Sequence, residues 1–310
     1  MPLALLTYPL AVWLPRAYST DVGVSLALVG LVISAAAVFD ALTDPLIGFT
    51  SDHAHSRWGR RKSWLAAGIP VLTLAVWMLL NPGAGATVAY LATWYLMLRL
   101  GSTLVLVPYG AWGAELADDY HQRTRISSAR QQWMLLGLIL ATFVPALAEA
   151  RLGDAASALV VLNAYGWLVF ALLPLIGIAL LARVPEPRIL RPASTTGLRR
   201  SLALMWRNGL FRRVVIIELV ITGGEQFRNT VSLFFMQDVI GISRPGMLYV
   251  VYFVCGLAAM PLWDLLARHV GKHRSLAFAM LLVSAVSLAI FTLDHGDYRA
   301  FQLLFALKGA

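Results

Sequence analysis

The stretch that decides the fold runs from Val24 to Phe49, VSLALVGLVISAAAVFDALTDPLIGF. It is almost unbroken apolar chain, longer than the ~20 helical residues that cross a hydrocarbon core of about 30 Å. Asp40 and Asp44 interrupt it. They stand four apart, so a helix puts them on one face, one turn from each other, with Thr43 adjacent. From Asp40 to the polar end at Asp52 is roughly 18 Å of helix, which places Asp40 near mid-membrane. An acid at that depth costs about 2.5 kcal/mol or more. Two uses offset such a cost. The acids face a polar cavity and bind a cation or a proton, or they brace the bundle through ion pairs to arginines of other helices. As carboxylates the pair offers hard oxygen ligands to Na⁺ or a similar ion. Because like charges oppose each other's ionisation, it can instead hold a proton.

The rest of the chain follows the same pattern. Hydrophobic residues make up 59% and charged residues 13%, against roughly 45–50% and 25% in soluble domains. Apolar runs predict spans at Pro2–Ala17, Val24–Phe49, Trp64–Leu80, Val88 to about Leu116, Gln131–Glu149 and Ala158–Val184. Further spans are predicted at Arg213–Val239, Met247–Ala267 and Leu276–Leu293, with Arg299–Ala310 as the start of a tenth. This is an all-α membrane protein. The first run has no basic n-region and no small-residue cleavage site, so it reads as a span and not as a signal peptide.

The net charge of +9 raises the question of nucleic acid, and the placement of the charge answers it. Of 25 Lys and Arg, 18 fall in Arg57–Lys62, Arg123–Arg130, Arg183–Arg213 and Arg268–Arg274, while the alternate connections are nearly free of them. That is the positive-inside pattern of a multi-pass protein of the cell (inner or plasma) membrane, with these segments and the N-terminus cytoplasmic. No nucleic-acid partner is expected; the expected partners are the lipid bilayer and a small-molecule solute. The oligomeric state is open. Cys255, the single cysteine, lies in an apolar run, so neither a disulfide nor a metal cluster is expected.

Pro185, Pro187, Pro192, Gly197 and five arginines mark a linker that divides the chain into a six-helix half (1–184), a cytoplasmic connection (185–212) and a partial second half (213–310). Two helix halves joined this way are the layout of repeat-built secondary carriers. A weak internal repeat supports it. Asp52 is followed by Arg57, Gly59, Arg60, Arg61 and Lys62, and at the corresponding place in the second half Asp264 is followed by Arg268, Gly271, Lys272 and Arg274.

The residues Asp40-Ala-Leu-Thr-Asp44-Pro-Leu-Ile-Gly48, Ser51-Asp52 and Ser56-Arg-Trp-Gly59-Arg-Arg-Lys62-Ser-Trp64 resemble the signature of the glycoside–pentoside–hexuronide cation symporters, the melibiose-permease branch of the major facilitator superfamily. Pro108-Tyr-Gly-Ala-Trp-Gly-Ala-Glu115, Asp119-Tyr120, Arg123-Thr124 and Pro261-Leu-Trp263 extend the likeness over essentially the whole chain. The resemblance implies a major-facilitator-type bundle with a complete first half and an incomplete second. It implies H⁺- or Na⁺-coupled symport of a sugar or glycoside, with no enzymatic activity and no cofactor beyond the coupling ion. It also implies a cation site at Asp40, Thr43, Asp44 and Thr103; sodium-using members carry asparagine where this chain has Thr43. The acid and the tryptophan that hold sugar in the fourth span of melibiose carriers are replaced by Leu106 and Gly110. A less polar or anionic solute is therefore the alternative.

Substrate candidates are Arg130 and Gln131, one of which takes the place of a family arginine, together with Glu225 and Arg228. The last two lie three apart in the seventh span and serve either as a solute patch or as an internal ion pair. Arg99, four residues before Thr103, reads as a snorkelling interfacial residue, with a role as a substrate ligand or pairing to an acid of the second span as the alternatives. Asp52, Arg57, Gly59, Arg60, Arg61 and Glu115 are expected to form a cytoplasmic gate, Glu115 pairing with Arg123 or Arg57. A carrier of this family needs twelve helices. The chain therefore reads as C-terminally truncated and is expected to be unstable or inactive alone.

Overall fold

A computed structural model describes residues 2–54, 56–83, 85–116, 119–152, 157–186, 198–241 and 246–309. The regular elements of the described residues are all helices, with no strand among them. Helices α1 (Pro2–Tyr8) and α2 (Leu14–Thr20) are joined by one π-helical turn, Pro9–Trp13, in which the N–H of Leu14 reaches the carbonyl of Pro9. They are followed by α3 (Leu26–His53), α4 (Lys62–Leu80), α5 (Val88–Glu115), α6 (Tyr120–Leu152) and α7 (Ala158–Arg183). Then come α8 (Leu198–Arg207), α9 (Gly209–Phe234) with a π-helical turn Phe235–Val239, α10 (Gly246–Val270), α11 (Lys272–Ile290) and α12 (Tyr298–Gly309). Among the described residues, six helical segments are long and apolar enough to cross a membrane: Leu26–His53, Lys62–Leu80, Val88–Glu115, Ala158–Arg183, Leu248–Val270 and His273–Ile290. This is a multi-pass membrane protein.

The chain divides into two compact units, Met1–Ala193 and Ser194–Ala310. In the first, α4 packs on α5 and α7, α3 on α5, α1 on α6 and α7, and α2 on α3 and α7. Lipid tails are as apolar as leucine, so close approach of backbones, more than removal of apolar surface from water, holds such helices together. The α4–α5 contact shows how. A Cβ on Gly101 would lie 2.8 Å from the backbone of Leu72, and one on Gly68 would lie 2.8 Å from the Cβ of Leu104. Each helix thus offers a bare glycine where the other comes nearest. Two buried tyrosine hydroxyls inside this unit reach backbone carbonyls, as a low-dielectric interior favours. The Tyr18 hydroxyl donates to the carbonyl of Leu79 at 2.9 Å, and that of Tyr165 donates to the carbonyl of Ala141.

Helix starts opposite the basic segments carry side-chain caps. Ser25, Thr87 and Ser157 accept from the N–H groups of Leu28, Tyr90 and Val160, and Asp21 accepts from Leu159 at 2.7 Å.

The second unit packs α10, α11 and α12 against one another, and its core joins Met236, Ile240, Leu248, Val286, Ile290, Phe301 and Phe305. On α9, Leu210, Val214, Ile217, Leu219 and Val220 are exposed, an apolar outer surface suited to lipid.

Two expected boundaries move. The helix expected from Gln131 begins at Tyr120, because hydropathy registers only its apolar part, whereas Arg, Gln and Ala continue a helix equally well. The 185–212 connection contains a ten-residue helix, Leu198–Arg207, and α9 already starts at Gly209. In α8 the exposed Trp206 and Met205 alternate with the exposed Arg200 and Arg207, an amphipathic pattern that the Pro and Ser-Thr composition upstream concealed.

Candidate functional site

Asp40 and Asp44 lie one turn apart on α3, and α5 matches them residue for residue. Thr103, buried, donates its hydroxyl to Asp44 Oδ1 at 2.8 Å. One turn earlier on α5, Arg99 donates Nη2 to Asp40 Oδ2 as a salt bridge. The two pairs keep the same register because α3 and α5 run in the same direction, with α4 returning between them. The Asp40 side chain is 14% exposed. Its second oxygen, Oδ1, is buried and has no hydrogen-bond partner. Tyr95, buried one turn before Arg99, is close enough to feel both charges. Pro45, just after Asp44, has no N–H for the carbonyl of Ala41, so the ladder of α3 is open beside the acids.

Three expectations are corrected or refined here. Arg99 is not a snorkelling residue: its guanidinium is spent on Asp40, because the helix register brings them together. The Thr43 hydroxyl is turned to its own helix, donating to the carbonyl of Phe39 at 3.0 Å, the back-bonding habit of threonine in apolar helices. Arg130 and Gln131 differ in placement. The Arg130 guanidinium lies over the Tyr109 ring, 4.4 Å from its centroid, and against Gly113, while Gln131 is exposed. On the same face of α5, Leu106 is exposed and a Cβ at Gly110 would meet nothing within 4 Å. The side chains of Glu225 and Arg228 fall outside the described residues.

A second constellation occupies the basic end. Arg61 is buried and pairs with Asp52 at 2.6 Å and Glu115 at 2.8 Å, and it donates to Ser51 Oγ at 3.0 Å. Burial alone would lower its pKa. The Glu115 hydrogen bond and the charges of Asp52 and Glu115 outweigh that, and the guanidinium is held above its ordinary value. Arg60 also pairs with Glu115, at 2.7 Å, and donates to the Asp52 carbonyl. The partners of Glu115 are therefore Arg60 and Arg61, where Arg123 or Arg57 was expected. Arg57 is exposed and has no ion pair among the described residues. In the other unit, Arg268 pairs with Asp264 within its own helix, exposed to solvent.

Sequence reasoning missed Glu186. Its carboxylate accepts the N–H of Arg61 at 2.7 Å and of Lys62 at 3.3 Å, capping the start of α4. Beside it Lys62 Nζ donates to the Leu181 carbonyl and Trp112 Nε1 to that of Pro185. The available signal was an acid held between two prolines, Pro185 and Pro187, just past a span.

Asp40, partly buried, and Asp44, exposed on the same helix face, sit in a bundle of membrane-crossing helices with a charged cluster at one end, the architecture of a helical multi-pass membrane protein. A family model described as MFS/sugar transport protein matches residues 1–310, and the chain belongs to that family. It is 36% identical over 148 residues to an uncharacterized symporter of Synechocystis, covering 44% of this chain and 27% of that protein. It is 24% identical over 275 residues to the isoprimeverose transporter of Lactiplantibacillus pentosus, covering 86% of this chain and 57% of the relative. To the glucuronide carrier protein homolog of Escherichia coli it is 24% identical over 283 residues, covering 88% and 61%. The chain thus spans less than two thirds of the length of these curated relatives.

Proposed function

We propose that the protein is a secondary active carrier coupling H⁺ or Na⁺ to the transport of a sugar or glycoside, with its N-terminus in the cytoplasm. The observation that carries this reading is the acid pair. Asp40 and Asp44 share one face deep in an apolar helix, Thr103 binds one of them, and the other keeps a buried oxygen open. Family membership and relatives named as symporters and carriers support it. In this reading the protein catalyses no covalent chemistry, and the ion, not a cofactor, supplies the driving force.

The α5 face next to the acids favours a second reading of the solute. Leu106 and Gly110 offer no hydroxyl-binding group, and Arg130 stands nearby over Tyr109. A less polar solute, or one with a carboxylate, fits that face better than a neutral polyol does. Proteoliposome uptake of neutral glycosides against hexuronic acids separates the two readings. Recovery of the accumulated solute chemically unchanged supports a carrier; a converted product would overturn it.

A further inference from the structure

We propose that Arg99 is a tethered cation that holds the place of a metal ion at Asp40, so that this acid pair excludes sodium. The proposal rests on the reading of Asp40 and Asp44 as the coupling-ion site and narrows which ion that site takes.

A hard alkali cation needs several oxygens converging on one point. The site has four side-chain oxygens on the two acids and two hydroxyl oxygens on Thr43 and Thr103, and what decides among ions is the charge placed at Asp40. Asp40 Oδ2 is occupied by the guanidinium of Arg99. Thr43 Oγ1 donates its hydrogen to the Phe39 carbonyl and keeps its lone pairs. Asp44 Oδ1 already accepts from Thr103. Asp40 Oδ1, buried and without a partner, has the guanidinium bound to its sister oxygen. An ion arriving there would meet the positive charge of the guanidinium held on the same carboxylate.

No other described cation competes for this role. On α2, which packs against α3, Arg16 lies by the Trp13 ring, 6.0 Å from its centroid. Asp21 accepts the Leu159 N–H, and the Tyr18 hydroxyl is committed to Leu79. On α5 the neighbours are Tyr95 and Thr103, both neutral, and on α3 the charged neighbour is Asp44.

The test is equilibrium binding of radioactive Na⁺ to the purified protein in nanodiscs, for wild type, Arg99→Lys, Arg99→Gln and Arg99→Met. Wild type and Arg99→Lys are expected to show no saturable Na⁺ binding. Arg99→Gln is expected to gain it, at least ten-fold tighter than any wild-type binding, and Arg99→Met guards against a glutamine-specific folding defect. Adding Asp40→Asn or Asp44→Asn to Arg99→Gln is expected to abolish the gain. Saturable wild-type binding equal to that of Arg99→Gln, or no gain in either neutral variant, would overturn the proposal. A gain that survives both asparagine substitutions would put the ion elsewhere, and the underlying reading of the acid pair would fail with it.

Discussion

Gly59 and Glu186 fill one space between them. The glycine has φ +108°, and a Cβ on it would come within 1.8 Å of Glu186 Oε2. The glycine therefore serves two ends: it makes the left-handed turn and leaves room for the carboxylate that caps α4. Gly59→Ala is expected to lower stability by about 1–2 kcal/mol from backbone strain alone, and by more if the carboxylate is displaced. Glu186→Ala should cost about 1 kcal/mol, the usual worth of an N-terminal cap. Thermal unfolding in detergent measures both. If Gly59→Ala is neutral, the turn does not need a glycine.

The charged end should show a graded response. Arg61→Gln removes the buried centre of the cluster, with an expected loss of about 2–3 kcal/mol, less than for a fully buried pair because Asp52 is 52% exposed. Arg60→Gln should cost about 1 kcal/mol or less, and Arg57→Gln should fall within about 0.5 kcal/mol of wild type. The same order is expected in cysteine labelling from the cytoplasmic side if this cluster acts as a gate. Equal effects of Arg57 and Arg61 would contradict it.

Two threonines separate a ligand from a neighbour. Thr103→Val removes the hydroxyl that holds Asp44 and should weaken the apparent affinity for the coupling ion by about ten-fold, the effect of one hydrogen bond to a charged group. Thr43→Val should change it less than three-fold, since that hydroxyl faces its own helix. Ion-dependence curves of uptake distinguish them; the reverse order would reassign the site.

Glycines on α5 should divide the same way. Gly101→Ala places a methyl 2.8 Å from the Leu72 backbone and is expected to destabilise by about 1–3 kcal/mol through overpacking. Gly110→Ala enters open space and should be neutral. Melting curves of the two variants side by side check this.

What could be seen in the residues alone was local. Spacing and hydropathy place Asp40 and Asp44 on one face at membrane depth, and the Gly59–Lys62 run announces a basic turn. Partners across helices were not legible in that way. Arg99 is 59 residues from Asp40, and only the register of α3 on α5 distinguishes a pairing arginine from a snorkelling one. Arg57, Arg60 and Arg61 are alike as letters. The start of α4 buries Arg61 and leaves Arg57 in solvent. Residue type says nothing of rotamer, so the Thr43 hydroxyl's bond to the Phe39 carbonyl is not legible in the sequence. Glu186 escaped notice because its chemistry, a cap on a helix begun 125 residues earlier, has no local pattern.

The central claim is that Asp40 and Asp44 bind the coupling ion. Its most direct test is accumulation of a transported sugar or uronic acid against a gradient in proteoliposomes, with Asp40→Asn and Asp44→Asn beside wild type. Both variants are expected to insert into the membrane and lose concentrative uptake. Undiminished accumulation by Asp40→Asn would contradict it.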